Sequence, residues 1–184
     1  MSQIIVSSER VYNARPEDIY EVLTDYKTKR PLILPPNYED YKVVEGGKGE
    51  GTVVDYRFHA AQRERSYHIS VNEVVKGKVL QEKDANSSFV TTWTLTPEGE
   101  GAQTRVSVAS EWQGGEGVGG FFERTFAPLG LRRVYGQMLD MLGYVVQKDG
   151  TTCAVPPRKN MYTGVAIAAV AAIAVIALLR KRSK

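Results

Sequence analysis

With 184 residues, 42% apolar and 24% charged, the chain has the make-up of one globular domain with a core and is too short for two ordinary ones. Its formal charge of +3 does not point to nucleic acid, because residues 158–184 hold six of the 24 Lys and Arg and no acid, leaving the rest with 18 basic against 21 acidic residues. The single cysteine, Cys153, excludes an intramolecular disulfide and a thiolate zinc cluster within one chain.

The opening MSQIIVSSERVYNARPED has no basic region followed by an apolar run, and Ser2 stands where N-myristoylation needs glycine. Neither a secretory signal nor that lipid is expected. Ile4 to Tyr12 reads as a first strand, with β-branched residues but incomplete alternation. Pro16 then marks a helix start, with Glu17 and Asp18 in the first turn where the helix dipole favours them. Ile19, Tyr20, Val22 and Leu23 give this short helix an apolar face. A second helical turn from Tyr26 towards Ile33 is interrupted by Pro31, Pro35 and Pro36, which force an extended exit.

From Tyr38 the pattern becomes a meander. Tyr41 to Val44 ends at the glycine-rich stretch 46–51, and in the next strand Val54, Tyr56, Phe58 and Ala60 alternate with Asp55, Arg57 and His59. After a turn at Ala61 to Glu64, Tyr67, Ile69 and Val71 share one face while His68, Ser70 and Asn72 share the other. Lys76-Gly77-Lys78 turns the chain into a short strand, Val79 to Lys83. Phe89, Thr91, Trp93 and Leu95 are in phase in the following strand, and Val106, Val108, Ser110 and Trp112 in the last one. One-sided apolar faces recurring about every ten residues predict an antiparallel sheet. The segment 119–148 is then a long amphipathic helix: Leu131, Val134, Tyr135, Met138, Met141, Leu142 and Val145 form one stripe, and Arg133, Gln137, Asp140 and Gln147 the other face. Pro128 and Gly130 are expected to divide it into a front part with Phe121, Phe122 and Phe126 and a regular rear part, with any ligand gate at the break.

Strand, two short helices, about six strands in meander and one long C-terminal helix form a distinctive order. With the stretches ERVYNARPEDIYEVLTDY, EGGKGEGTV, WTLTPEGEGAQTRVSVASEW and FFERTFAPLGLRRVYGQMLDMLGYVV, it resembles the START and Bet v 1-like (SRPBCC) superfamily over residues 3–148, in particular its polyketide cyclase/dehydrase and lipid-transport group. The resemblance implies an α+β helix-grip fold, a curved antiparallel sheet of about seven strands around the long helix. It also implies a cavity between sheet and helix for a hydrophobic molecule. Large aromatics on one-sided faces of curved strands point the same way, since one helix covers only part of such a sheet. The candidate cavity residues are Tyr56, Phe58, Tyr67, Ile69, Phe89, Trp93 and Val108 on the sheet, and Phe126, Val134, Met138 and Leu142 on the helix. The family has no shared catalytic motif, so no catalytic residue carries over.

Other motifs lose their function in context. Gly115-x-Gly117-x-x-Gly120 matches a dinucleotide fingerprint, but Asp140 lies inside the helix and not at the end of a second parallel strand. The glycines of 46–51 lack the Gly-Lys-Ser/Thr ending of a phosphate loop and read as a hairpin turn. No cofactor and no metal site are expected. His59 and His68 are the only histidines, and the turn between them could bring them together with Asp55 or Glu73 to bind metal or move protons, which makes them, beside a buried tyrosine, the catalytic candidates. No serine sits in a Gly-x-Ser-x-Gly elbow.

Beyond the helix-grip domain, residues 1–150, comes a linker at 151–162 stiffened by Pro156-Pro157. Thr163 to Leu179 then offers about 17 uncharged, almost wholly apolar residues, about 26 Å as a helix, between Arg158-Lys159 and the basic end 180–184. This reads as a single transmembrane anchor. Gly164, Ala168 and Ala172 form a small-residue stripe that permits close helix pairing and hence a homodimer. The basic residues after the span favour an inside C-terminus, yet that would require moving the whole domain across without a signal, so the domain is expected in the cytoplasm. The leading expectation is a tail-anchored domain that binds or shuttles a lipid or isoprenoid-like molecule. A cyclase or dehydratase-like enzyme using the same cavity, and an interaction module without ligand, are the alternatives.

Overall fold

The computed structural model describes residues 3–60, 63–115 and 117–148, excepting the side chains of 63, 117–126 and 148. The linker with Cys153, the apolar segment 163–179 with Gly164, Ala168 and Ala172, the basic end, and the side chains of Phe121, Phe122 and Phe126 lie outside the described residues. Among the described residues no helix is long and apolar enough to cross a membrane.

Seven strands form one antiparallel sheet: β1 (Gln3–Tyr12), β2 (Tyr38–Glu45), β3 (Val53–Ala60), β4 (Arg63–Val75), β5 (Val79–Asp84), β6 (Val90–Glu98) and β7 (Gln103–Gln113). Their order is β1-β7-β6-β5-β4-β3-β2, so β2 to β7 meander and β1 closes on the last strand. Register shifts in the β2–β3 and β4–β5 pairs, one of them at Asp40 with φ of 52°, add residues on one side and bend the sheet. The antiparallel ladder removes the parallel crossover that a dinucleotide fold requires, and the last glycine-rich stretch simply leads into a helix.

Between β1 and β2 lie α1 (Pro16–Thr24), with Pro16 in its first turn and Arg15 paired to Asp18 at 2.8 Å, and a 3-10 turn, Arg30–Ile33. The long helix α2 (Gly117–Lys148) packs on β1, α1 and the 3-10 turn. Tyr12 in β1 fastens it by donating to the Leu139 carbonyl at 2.6 Å, beside an Arg10–Asp140 ion pair.

Two expectations for α2 need correction. The helix runs unbroken through Pro128, so the proline does not divide it. Its buried stripe is Val134, Tyr135, Met138, Leu139, Leu142 and Val146, whereas Met141 is 41% exposed. Tyr135, Leu139, Leu142 and Val146 keep one side of the cylinder to the core at steps of four, three and four, and Met141 falls outside that arc.

Candidate functional site: a cavity with an aromatic wall and a polar floor

A cavity of about 560 Å³ lies between β2 to β7, the 3-10 turn and α2. Its depth follows from the strand register. Along β3 the same-face residues Val54, Tyr56, Phe58 and Ala60 all line it, a run of about 20 Å at strand rise. Val54 is opposite Ile69, Tyr56 opposite Tyr67, and Phe58 opposite Arg65. Val54 and Ile69 are buried, while Glu64 and Arg65 are exposed, so the cavity deepens from the β3–β4 hairpin towards Val54. Across the opening, the α2 contribution is Ala127, Gly130 and Leu131, with Leu129 beside them 63% exposed.

The sheet side is an unbroken chain of rings. Tyr38 and Tyr56 have centroids 5.0 Å apart, Tyr56 stacks on Tyr67 at 5.2 Å, Tyr67 meets Phe89 at 5.4 Å, and Phe89 meets Trp112 at 5.8 Å. Such tilted and offset contacts suit the ring quadrupoles and hold the wall in shape without filling the space in front of it.

The floor is polar. Glu82 accepts from Tyr26 Oη at 2.7 Å and Arg30 Nη2 at 2.7 Å through one oxygen, and from Trp93 Nε1 at 3.2 Å through the other. The Arg30 side chain is only 3% exposed and its guanidinium carbon lies 4.5 Å from the Trp93 ring. Burial opposes its charge, but Glu82 and the phenol oxygens of Tyr26, Tyr41 and Tyr38 outweigh that and raise its pKa. Burial likewise pushes the Tyr26, Tyr38 and Tyr56 phenols well above their ordinary range, so each keeps its proton. Tyr135, raised by the same cause, is tied through Ser110 to Thr91, the last two oxygens being 2.6 Å apart.

Local structure sets this floor. Asp25 accepts from the Lys27 and Thr28 amides at 3.1 and 2.8 Å and from the Thr28 hydroxyl, which turns the chain so that Arg30 N reaches the Asp25 carbonyl at 2.7 Å. The glycine-rich loop before β3 clasps the same corner, with Tyr26 N on the Gly47 carbonyl at 3.0 Å and Gly49 N on the Thr24 carbonyl at 2.9 Å. Gly47 has φ of 121° and a Cβ there would run into the Lys27 side chain, so this position needs glycine. The hairpin turn read from the sequence is thus also the clasp that aims Arg30.

Of the residues singled out from the sequence, Tyr56, Phe58, Tyr67, Ile69, Phe89, Trp93 and Met138 line the cavity. Val108, Val134 and Leu142 do not: they are buried in the filled part of the core, where α2 lies close against the sheet. His59 and His68 stand on the opposite sheet face from Tyr56 and Tyr67. His59 is opposite Glu64, whereas His68 is opposite Asp55 and bonds it through Nδ1 at 2.6 Å. Four residues of β3, roughly 13 Å, separate the two positions, so the histidines neither meet nor reach the cavity. Among the described residues no cluster of His, Cys, Asp and Glu could hold a metal ion. Sequence reading missed Tyr26, Arg30, Tyr38, Tyr41, Glu82, Thr91 and Tyr135. The available signal was Glu82, an acid in phase with buried Leu80 in a short strand, since an inward charge needs an inward partner.

Residues 3–147 match the family described as polyketide cyclase/dehydrase and lipid transport. Among solved structures, KanY, determined in solution by NMR, is 41% identical, with TM-score 0.70, covering 80% of this chain and 99% of its own. TTHA0849 from Thermus thermophilus is 20% identical, with TM-score 0.65 and 79% and 99% covered. The Zhui aromatase/cyclase from Streptomyces sp. R1128 is 13% identical, with TM-score 0.63 and 84% and 100% covered; these last two likenesses establish the fold alone. Among curated proteins none matches. Sheet order, long helix, cavity and a match over residues 3–147 agree, and the chain belongs to the polyketide cyclase/dehydrase and lipid transport family.

Proposed function

We propose that the chain binds and carries a hydrophobic small molecule, a lipid or isoprenoid-like compound, in the cavity between sheet and α2. The observation that carries this is the aromatic-walled space of about 560 Å³, the size of a drug-like ligand site, in a domain whose remaining core is filled. Binding is favoured over turnover because the carboxylate at the floor, Glu82, already accepts three hydrogen bonds and is thereby engaged rather than free as a base. The full chain, purified under mild conditions and analysed by native mass spectrometry, should carry a co-purified apolar molecule or take one up from mixed lipids. A chain that stays empty against lipids and aromatic probes overturns this reading.

The apolar stretch 163–179 between basic clusters supports attachment to a membrane, where a bilayer-derived ligand has a short path to the cavity. The family match ends at residue 147, so a chain ending at residue 150 is a fair comparison. The full chain should pellet with vesicles and the shortened one stay in solution; equal partitioning overturns the anchor. Gly130 at the opening, two residues after Pro128, remains the place for a gate, within a continuous helix.

The second reading is an enzyme of cyclase or dehydratase type on a hydrophobic substrate in the same cavity. It is supported by relatives such as the Zhui aromatase/cyclase and by phenols gathered in the cavity. Its test is new product after incubation with the co-purified molecule, abolished by Tyr56→Phe.

A further inference from the structure

The cavity is apolar along its wall, but its floor holds hydrogen-bonding capacity that the protein does not use. Arg30 gives Nη2 to Glu82, while its Nη1 is buried and meets no acceptor among the described residues. A buried cationic N–H left without an acceptor is costly and rare in a folded protein. Tyr56 lines the same cavity, stacked on Tyr67, and its hydroxyl makes no hydrogen bond among the described residues. Its burial keeps it protonated, so it is a donor. Arg30 Nη1 and the Tyr56 hydroxyl are therefore two unused donors on the lining of one cavity, most of whose other surface is aromatic and aliphatic.

The electrostatics select the kind of acceptor. Arg30 and Glu82 are one positive and one negative charge at 2.7 Å, a pair already balanced. A ligand carboxylate would bring a second negative charge beside Glu82 where little water can screen it. A neutral oxygen meets the free N–H without that penalty.

We propose that the cavity floor is an oxygen subsite, in which Arg30 Nη1 and the Tyr56 hydroxyl donate to the neutral carbonyl oxygen of an otherwise apolar ligand whose body runs along Tyr67 and Phe89 to the opening. This rests on the cavity-binding reading above and adds to it an orientation and a ligand class, an uncharged ketone, ester or quinone in preference to a free acid or a plain hydrocarbon.

The test uses the full chain and three naphthalene probes of one skeleton: prodan, which carries a propionyl ketone, its analogue with propyl in place of propionyl, and its analogue with a carboxylate there. Prodan should bind about tenfold tighter than the propyl analogue, the worth of one well-placed hydrogen bond, and tighter than the carboxylate. Both Tyr56→Phe and Arg30→Lys should shrink the ratio of prodan to propyl affinity. Should Arg30→Lys fail to fold, the infrared stretch of the bound ketone on the unaltered protein decides. A frequency below that in hexane supports the subsite, and one equal to it overturns it. Equal binding of prodan and the propyl analogue, or tightest binding of the carboxylate, overturns the oxygen subsite and leaves the cavity reading standing. Failure of all three probes to bind overturns both.

Discussion

The two halves of the sheet follow the same alternating rule and end in opposite states. On β1, β6 and β7, the inward residues Val6, Leu95, Val106 and Val108 are buried against α1 and the rear of α2. On β3 and β4, the inward residues Tyr56, Phe58 and Tyr67 are only half-buried, because the helix does not lie on them and they face open space. Alternation decides which side of a strand is apolar. Whether that side becomes core or cavity wall depends on how far a second layer reaches.

The strongest test of this contrast is at the floor, where the halves meet. Replacing Arg30 by Met leaves the largely covered Glu82 without its cation and should cost about 3 kcal/mol in urea unfolding. Adding Glu82→Gln should recover part of that, and a loss below about 1 kcal/mol would mean that the floor is well hydrated. Next, Leu142→Ala in the filled half should cost about 3 kcal/mol, whereas Phe58→Ala on the cavity wall should cost less than about 1.5 kcal/mol and change which hydrophobic probes bind. Similar losses for both would abolish the distinction between core and wall.

A smaller effect is expected at the clasp. Gly47→Ala imposes a side chain at φ of 121° and should cost about 1–3 kcal/mol in thermal or urea unfolding, with weaker probe binding because the corner carrying Arg30 shifts. The smallest is electrostatic. Burial raises the Asp25 pKa, but the bonds from Thr28 and Lys27 outweigh it and lower the folded value. Its contribution is therefore present above the unfolded carboxylate value of about 3.9 and lost as pH falls through the lower folded one. Urea midpoints compared between about pH 6 and about pH 2 should converge for native and Asp25→Asn protein at the acid end; a constant difference would contradict this.

Much of the fold was legible because it rests on local rules. The strands declared themselves by alternation, as in Val54 to Ala60, and the glycine-rich turns and Pro16 marked element boundaries. The aromatic wall was legible from the same alternation. The polar floor was not, because Arg30 and Tyr26 lie 52 and 56 residues from Glu82 along the chain and meet it only when a turn, a corner and the fifth strand converge. The helix stripe was read one position off at Met141 for a related reason: periodicity gives an arc of the cylinder, and the neighbours decide its centre.

By itself, then, the sequence determined the strand and helix content, the apolar side of each strand, the mildly acidic domain and the apolar, base-flanked segment 163–179, since each depends on residues near one another along the chain. Only the tertiary structure decided that Val108, Val134 and Leu142 fill a core while Tyr56 and Phe58 face a cavity, that His59 and His68, on the outer face alternation had assigned them, lie too far apart to meet, and that Arg30 holds a nitrogen without an acceptor at the cavity floor. Those outcomes depend on where a second layer ends and which distant side chains come into hydrogen-bonding range, and no stretch of sequence contains either.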